Sequence, residues 1–400
     1  MGTSRKILFY SRSPMNTVML RPLVRRLSRD PRLRLYFSGK PSNPDEPLAD
    51  VYRPLWDDAA GSSPAAGAIS SPAGPNSQSA RPGVPPVRPS PVRRPAVRLP
   101  VGRLPVGRLL ARWRLLYRTF DLFICPDIVM YAWRARHRVQ IFHGVSFKGK
   151  VYTEKIRRFN HVFLVGEYMR RRFEEKGILA PGDSCGHRIG MPKTDPLVDG
   201  SLDRAALLES HGFDPARPTV LYAPTWRKES SLNVEGEAVI DALDRMGLNV
   251  LVKIHDHSRD PRTNRLDWGA WLDAREGGNV RRVRDPDIIP SLHAADVLVS
   301  DASSVTNEFT LLDRPILFMD VPKLLEVYRD TSDLETWGRR IGEVVRGAAA
   351  LPSAVEHALS NPGALSDIRR AAATDIFYNP GHAAQAAVAA IYHILELSAE

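Results

Sequence analysis

Four short runs in the second half of the chain constrain the fold most: TVLYAP (219–224), NVLVKIH (249–255), VLVS (297–300) and PILFMD (315–320). Each is apolar through its centre and too short for a useful helix, which is the pattern of a strand covered on both faces. Strands of that kind belong to parallel sheets flanked by helices. The first half repeats the pattern: KILFY (6–10) and LRLYF (33–37) bracket a helix-length stretch around residues 19–27, and DLFICPD (121–127), VQIFHG (139–144) and HVFLVG (161–166) follow. With 400 residues, 43% of them hydrophobic, the chain can bury two such cores. The expected architecture is α/β, with two doubly wound Rossmann-like domains facing a cleft. Residues 1–200 form the first domain and 201–365 the second, and 366–400 supply helices that pack back on the first. The turn after the first strand, SRSPMNT, lacks the glycine fingerprint of a dinucleotide site, so no cofactor is expected there.

Between residues 40 and 110 the periodicity is lost. Pro, Gly, Ser, Ala and then Arg dominate, which reads as a disordered insert. Residues 81–118 contain no Asp or Glu and supply much of the formal net charge of +11, a sign that suits anionic partners. At 109–120, LLARWRLLYRTF has the spacing of a basic amphipathic helix with Trp113, Leu116 and Tyr117 on one side. Two readings stand: contact with an anionic membrane surface through 81–118, or an ordinary packed helix behind a solvated linker. Nucleic acid is not an expected partner, because the arginines interleave with prolines rather than with stacking aromatics. Two cysteines, Cys125 and Cys185, suit a reducing compartment. No apolar run reaches transmembrane length and the amino terminus reads as a strand, so the expected place is the cytoplasm, with peripheral contact at the inner face of the plasma membrane.

Chemistry gathers at four strand ends. His143 leaves a buried strand into HGVSFK, where a general base would sit, with Lys148 following as a possible phosphate charge. Thr225 and Arg227 end the run YAPTWR and can hydrogen-bond an anion. Lys253 and His255 end NVLVKIH, and strand alternation places them on one face. The HDH at 255–257 is too tightly spaced for a metal site, and no metal is expected. The last cluster, Ser300 to Asp320, follows its strand with Asp301, Ser303, Ser304 and Thr306 where a helix begins. Hydroxyls and free backbone N–H groups there suit a phosphate, although a well-capped turn needs only one of them.

Taken in order, and with GMPKTD at 190–195, these clusters resemble the CDP-glycerol glycerophosphotransferases of wall teichoic acid synthesis. That family's HGTPLK, GxPRND-like turn, YAPTWR, basic residue before a strand-end histidine, and SDYSS with an acidic position and LDRP appear here as His143 to Lys148, Gly190 to Asp195, Tyr222 to Arg227, Lys253 to His255, and Ser300 to Ser304 with Glu308 and Leu312 to Pro315. The chain departs at Val145 and Ser146, at Lys193 and Thr194, and at Ala302. The resemblance implies a GT-B fold and a CDP-glycerol or related CDP-polyol donor, with glycerol phosphate passing to a glycan or lipid-linked acceptor as CMP leaves. It also implies His143 and His255 as catalytic residues, and Thr225, Arg227, Lys253, Ser303, Ser304 and Glu308 around the donor. Glu308 would take a ribose or glycerol hydroxyl. Lys148, Lys193, Asp195 and Asp301 would play supporting roles, and no cofactor is implied. The rival readings are a GT-B glycosyltransferase using a nucleotide sugar, a sugar-nucleotide 2-epimerase, and a scaffold that binds nucleotide or membrane without turnover.

Overall fold

In the computed structural model, which describes residues 4–11, 13–39, 119–128, 134–145, 151–275, 277–329 and 337–398, two six-stranded sheets are built wholly from parallel pairs. The first contains β1 (Arg5–Ser11), β2 (Leu33–Gly39), β3 (Phe120–Cys125), β4 (Ala135–Gln140), β5 (His161–Leu164) and β6 (Gly186–Arg188), in the order β2-β1-β3-β4-β5-β6. The second contains β7 (Thr219–Tyr222), β8 (Asn249–Val252), β9 (Val280–Arg282), β10 (Val297–Ser300), β11 (Ile316–Met319) and β12 (Glu343–Val345), in the order β12-β11-β10-β7-β8-β9. Each order reverses once, between β1 and β3 and between β7 and β10. Ligands of open α/β sheets bind beyond the carboxyl ends of the strands at such reversals.

The strands of the second sheet show why continuous apolar runs were needed. Along β7, Val220 and Tyr222 enter one core with the helices Ser231–Asp244 and Leu351–Ser360, while Leu221 enters the opposite core. That second core is continuous with the core of the first sheet, through Ile289 and Leu292 of one half and Met19, Leu20 and Leu197 of the other. A strand with both faces buried has no polar face to show.

Some boundaries differ from the sequence reading. Phe120 opens β3 rather than closing a helix, and residues 109–118 lie outside the described residues, as do the rest of the 40–110 insert and Lys148. Pairing in β4 begins at Ala135 and ends at Gln140, so Ile141 and Phe142 of VQIFHG lie beyond the ladder. Among the described residues, no helix is long and apolar enough to cross a membrane.

The chain's last helices, Ser366–Ile376 and Ala383–Ile394, return to the first sheet. The Tyr378 amide donates to the Val165 carbonyl at 2.7 Å, and Arg171 pairs with Asp375 at 2.6 Å. Gly190 has φ of +95°, and a Cβ there would stand 2.1 Å from the Tyr378 carbonyl oxygen, so only glycine fits. Asp195 accepts from the amides of Ala383 and Ala384 at 2.9 and 2.8 Å, capping the last helix with a carboxylate. Beneath these helices β4, β5 and β6 carry three imidazoles in a row. His137 Nδ1 lies 3.2 Å from His161 Nε2, and His161 Nδ1 lies 3.0 Å from His187 Nε2.

Candidate active site

At the reversal of the second sheet, Asp301 organises the turn after β10. Its Oδ1 accepts from the amides of Thr225 and Ala302 at 2.8 and 2.7 Å, and its Oδ2 accepts from the amide and hydroxyl of Ser231 at 3.1 and 3.0 Å. The side chain is buried and fully engaged, so its work is to join the ends of β7 and β10. The helix that follows is a short one, Val305–Phe309, with Ser304 at its N-cap and no side-chain capping bond. Thr306 hydroxyl, not a serine, closes this turn, donating to the Ser303 carbonyl at 2.8 Å. Among the described residues Ser303 and Ser304 spend no hydroxyl on the fold, and both are partly exposed.

The segments after β7 and β8 make an aromatic and cationic wall. Arg227 donates from Nε to the Tyr328 hydroxyl at 2.9 Å and lies over the rings of Trp226 and Tyr328, at 5.4 and 5.3 Å from their centroids. His255 is exposed, and its Nδ1 accepts from the His257 amide at 3.1 Å. In the neutral ring the proton therefore sits on Nε2, as a donor. The rings of His255 and His257 stack at 4.9 Å with 13° between planes, and Trp226 lies 4.9 Å from His257. Thr225 is buried with its amide used by Asp301, while its hydroxyl has no partner.

Lys253 is partly buried and already has a partner, whereas His255 is exposed. The Lys253 amide still donates to the Tyr222 carbonyl of β7 at 2.9 Å, and its Nζ donates to the Asp285 carbonyl. Burial holds its ammonium pKa below the usual range, against the charges of Asp256, Asp285 and Asp287. Glu308 also departs from expectation. It is 1% exposed and pairs through Oε1 with Lys193 Nζ at 2.8 Å, an ion pair joining the two halves, so it is not an open acceptor for a hydroxyl. Burial raises its carboxyl pKa and Lys193 opposes that rise, while Oε2 has no partner.

From the first half, the loop after β4 brings His143 and Gly144 to this turn. A Cβ on Gly144 would lie 3.5 Å from Ser304 Oγ, and Asn307 Nδ2 donates to the Val145 carbonyl at 3.0 Å. His143 is solvent-exposed within the cleft, yet the surrounding protein holds its pKa below the usual imidazole range. Loss of hydration is the largest cause, the charge of Lys193 adds to it, and that of Asp127 opposes it. A base with a lowered pKa is unprotonated near neutrality.

The structure thus gathers His143, Ser303, Ser304, Thr225, Arg227 and His255 around the facing sheet ends, assigns Asp301, Asp195, Lys193 and Glu308 to structural contacts, and engages the Lys253 ammonium with the Asp285 carbonyl. Three contributors were absent from the sequence reading: Tyr328, Asp127 and Asn16, whose Nδ2 donates to Asp127 Oδ2 at 2.8 Å. The only signal for Asp127 was its place just after the apolar run DLFIC, at a strand end. Nothing in the local sequence marks Tyr328.

A family model described as CDP-glycerol:poly(glycerophosphate) glycerophosphotransferase matches residues 137–391. A teichoic acid glycerol-phosphate primase of Bacillus spizizenii is 28% identical over 206 residues, 51% of this chain and 47% of that protein, so the match spans about half the length of the curated relative. Among solved structures, the wall teichoic acid polymerase TagF is similar with a TM-score of 0.62 and 13% identity, over 98% of this chain and 89% of that one. A putative UDP-N-acetylglucosamine 2-epimerase from Listeria monocytogenes gives 0.58 and 12%, over 99% and 98%. At these identities the solved structures speak to the fold, which is GT-B.

Proposed function

The chain belongs to the CDP-glycerol:poly(glycerophosphate) glycerophosphotransferase family, and from that premise we propose that it transfers glycerol phosphate from CDP-glycerol, or a similar CDP-polyol, to an acceptor hydroxyl and releases CMP. The contact of the His143–Gly144 turn with Ser304 carries this reading, because it sets a candidate base beside unspent hydroxyl donors at facing sheet ends. Similarity to a teichoic acid glycerol-phosphate primase and to TagF, one variant of which was soaked with CDPG, supports the same donor.

The pyrophosphate lies against Ser303, Ser304 and the Nε2–H of His255, with Arg227 supplying charge. These groups stabilise the charge that grows on the phosphates as CMP departs. His143 takes the acceptor's proton, and the acceptor oxygen attacks the distal phosphorus. The acceptor is a glycan or lipid-linked hydroxyl of the cell envelope and approaches from the first half, while the second half holds the donor. The enzyme works at the cytoplasmic face of the membrane.

Purified protein offered CDP-glycerol, CDP-ribitol and UDP-sugars in parallel, with CMP and UDP release measured, tests the donor. CMP release from CDP-glycerol is expected. In His143→Ala it falls roughly 10²–10⁴-fold, and in His255→Ala roughly 10²–10³-fold, with unchanged melting temperatures. Turnover of a UDP-sugar alone, or near wild-type rates in both variants, would sink the reading.

A further inference from the structure

Arg227 is held at both ends. Its carbonyl, in the turn after β7, accepts from the Ser230 amide and from Asn233 Nδ2, each at 2.9 Å. Asn233 is buried and its Nδ2 also donates to Asn264 Oδ1 at 2.8 Å, so the backbone of this turn hangs from an interior network. At the far end, Arg227 Nε donates to the Tyr328 hydroxyl at 2.9 Å, and the guanidinium carbon lies over the rings of Trp226 and Tyr328. The ring faces attract the charge, and the Nε bond fixes how the guanidinium plane is turned. Among the described residues, no carboxylate pairs with Arg227, and its Nη1 and Nη2 make no hydrogen bond. A partly buried guanidinium whose fork is unspent suits two oxygens of an anion.

Tyr328 reaches Arg227 across the end of β10. It closes the helix Pro322–Tyr328 that follows β11, and β10 lies between β11 and β7 in the sheet. The turn after β10 touches the same group, because Ala302 packs against the cluster of Val321, Leu324 and Tyr328, one residue before Ser303. Tyr328 is buried, so its ring is a fixed part of the second half. A tyrosine at 302, as in the SDYSS pattern, would contend with that ring for space, whereas alanine leaves it room.

Building on the transferase reading above, we propose that Tyr328 is the positioning residue for Arg227, and that its hydroxyl holds the guanidinium fork beside the serine turn for the pyrophosphate of the donor. Tyr328 takes no part in bond making and acts only through Arg227. With the fork already aimed, the charge needs no reorientation as CMP departs. Without the hydroxyl the plane turns over its rings, and orienting it becomes part of the cost of binding.

Tyr328→Phe keeps the buried ring and removes only the acceptor, so its melting temperature stays at the wild-type value. Calorimetric titration of the full chain with CDP reads the effect without turnover. Tyr328→Phe weakens CDP binding about tenfold, the size of one hydrogen bond to a charged group. In an Arg227→Met background the same change alters CDP affinity less than about twofold, because the group it positions is gone. In kinetics, kcat/KM for CMP release from CDP-glycerol follows the same non-additive pattern. Unchanged CDP affinity in Tyr328→Phe overturns the assignment, and so does an equal loss in both backgrounds, which is what a merely structural tyrosine gives. A wild-type protein that binds CDP but releases no CMP from CDP-glycerol overturns the transferase reading instead, and the CDP titrations still decide the role of Tyr328.

Discussion

At the carboxyl end of β10, Asp301 has four hydrogen bonds, three from backbone amides and one from a hydroxyl, whereas beyond the end of β4 His143 is exposed, in the turn whose Gly144 approaches Ser304. The second sheet builds its share of the cleft from the main chain, and the serines it leaves unspent are placed by that rigid turn. The first sheet contributes one reactive ring whose behaviour depends on a few neighbouring charges. Damage to the second half should therefore reach the fold when it touches Asp301 and only the reaction when it touches the serines. Damage at His143 should reach the reaction alone.

The largest expected effect breaks this separation. Lys193 belongs to the first half but completes the second, because it is the partner of buried Glu308. Lys193→Met strands that carboxylate and should cost about 3–5 kcal/mol in urea unfolding. Adding Glu308→Leu should recover much of the loss, since an apolar pair replaces a buried ionic one. A Lys193→Met protein as stable as wild type would show that the pair does not join the halves energetically. The next effect sharpens the contrast: Ser304→Ala should lower CMP release roughly a hundredfold and leave the melting temperature unchanged. A steep fall in melting temperature would instead make the serine part of the turn.

The smallest effect lies in the first half, far from the cleft. Burial, with His187 and His137 beside it, pushes the His161 pKa down to about 4 from a usual 6.5. The unfolded chain then binds more protons than the folded one between those values, so the stability held above pH 6.5 is lost as pH falls towards 4. The melting temperature should decline by a few degrees over that window, and His161→Phe should flatten the decline. Equal slopes in the two proteins would remove the imidazole row from the account of acid sensitivity.

Much of the fold was legible because burial on two faces leaves an unmistakable mark on a strand. VLVS and TVLY read as sheet interior and are fully buried. The four clusters were legible for a related reason, since polar residues that end such runs stand at the rim where ligands bind. What was not legible was which polar groups the protein consumes itself. Glu308 follows the serine turn like a ligand contact, yet Lys193, 115 positions earlier, takes its charge; a pairing at that separation leaves no local trace. Lys253 sends its ammonium to the Asp285 carbonyl, 32 positions later, which is as invisible locally as the Lys193 pairing, and Tyr328 sits at the end of a helix with nothing nearby to mark it.

The carboxylate cap that Asp195 places on Ala383 and Ala384, with the close passage of Gly190 by Tyr378, also bears on how the protein is made. A ribosome finishes the first sheet's strands long before it reaches residue 383. At about 5–20 residues per second the interval is on the order of tens of seconds. Throughout it Asp195 and the apolar surface meant for Ala387 and Ile391 have no occupant, so the first half emerges early but matures last. Emergence of residues 383–391, rather than completion of the first sheet, is the moment at which this half can close.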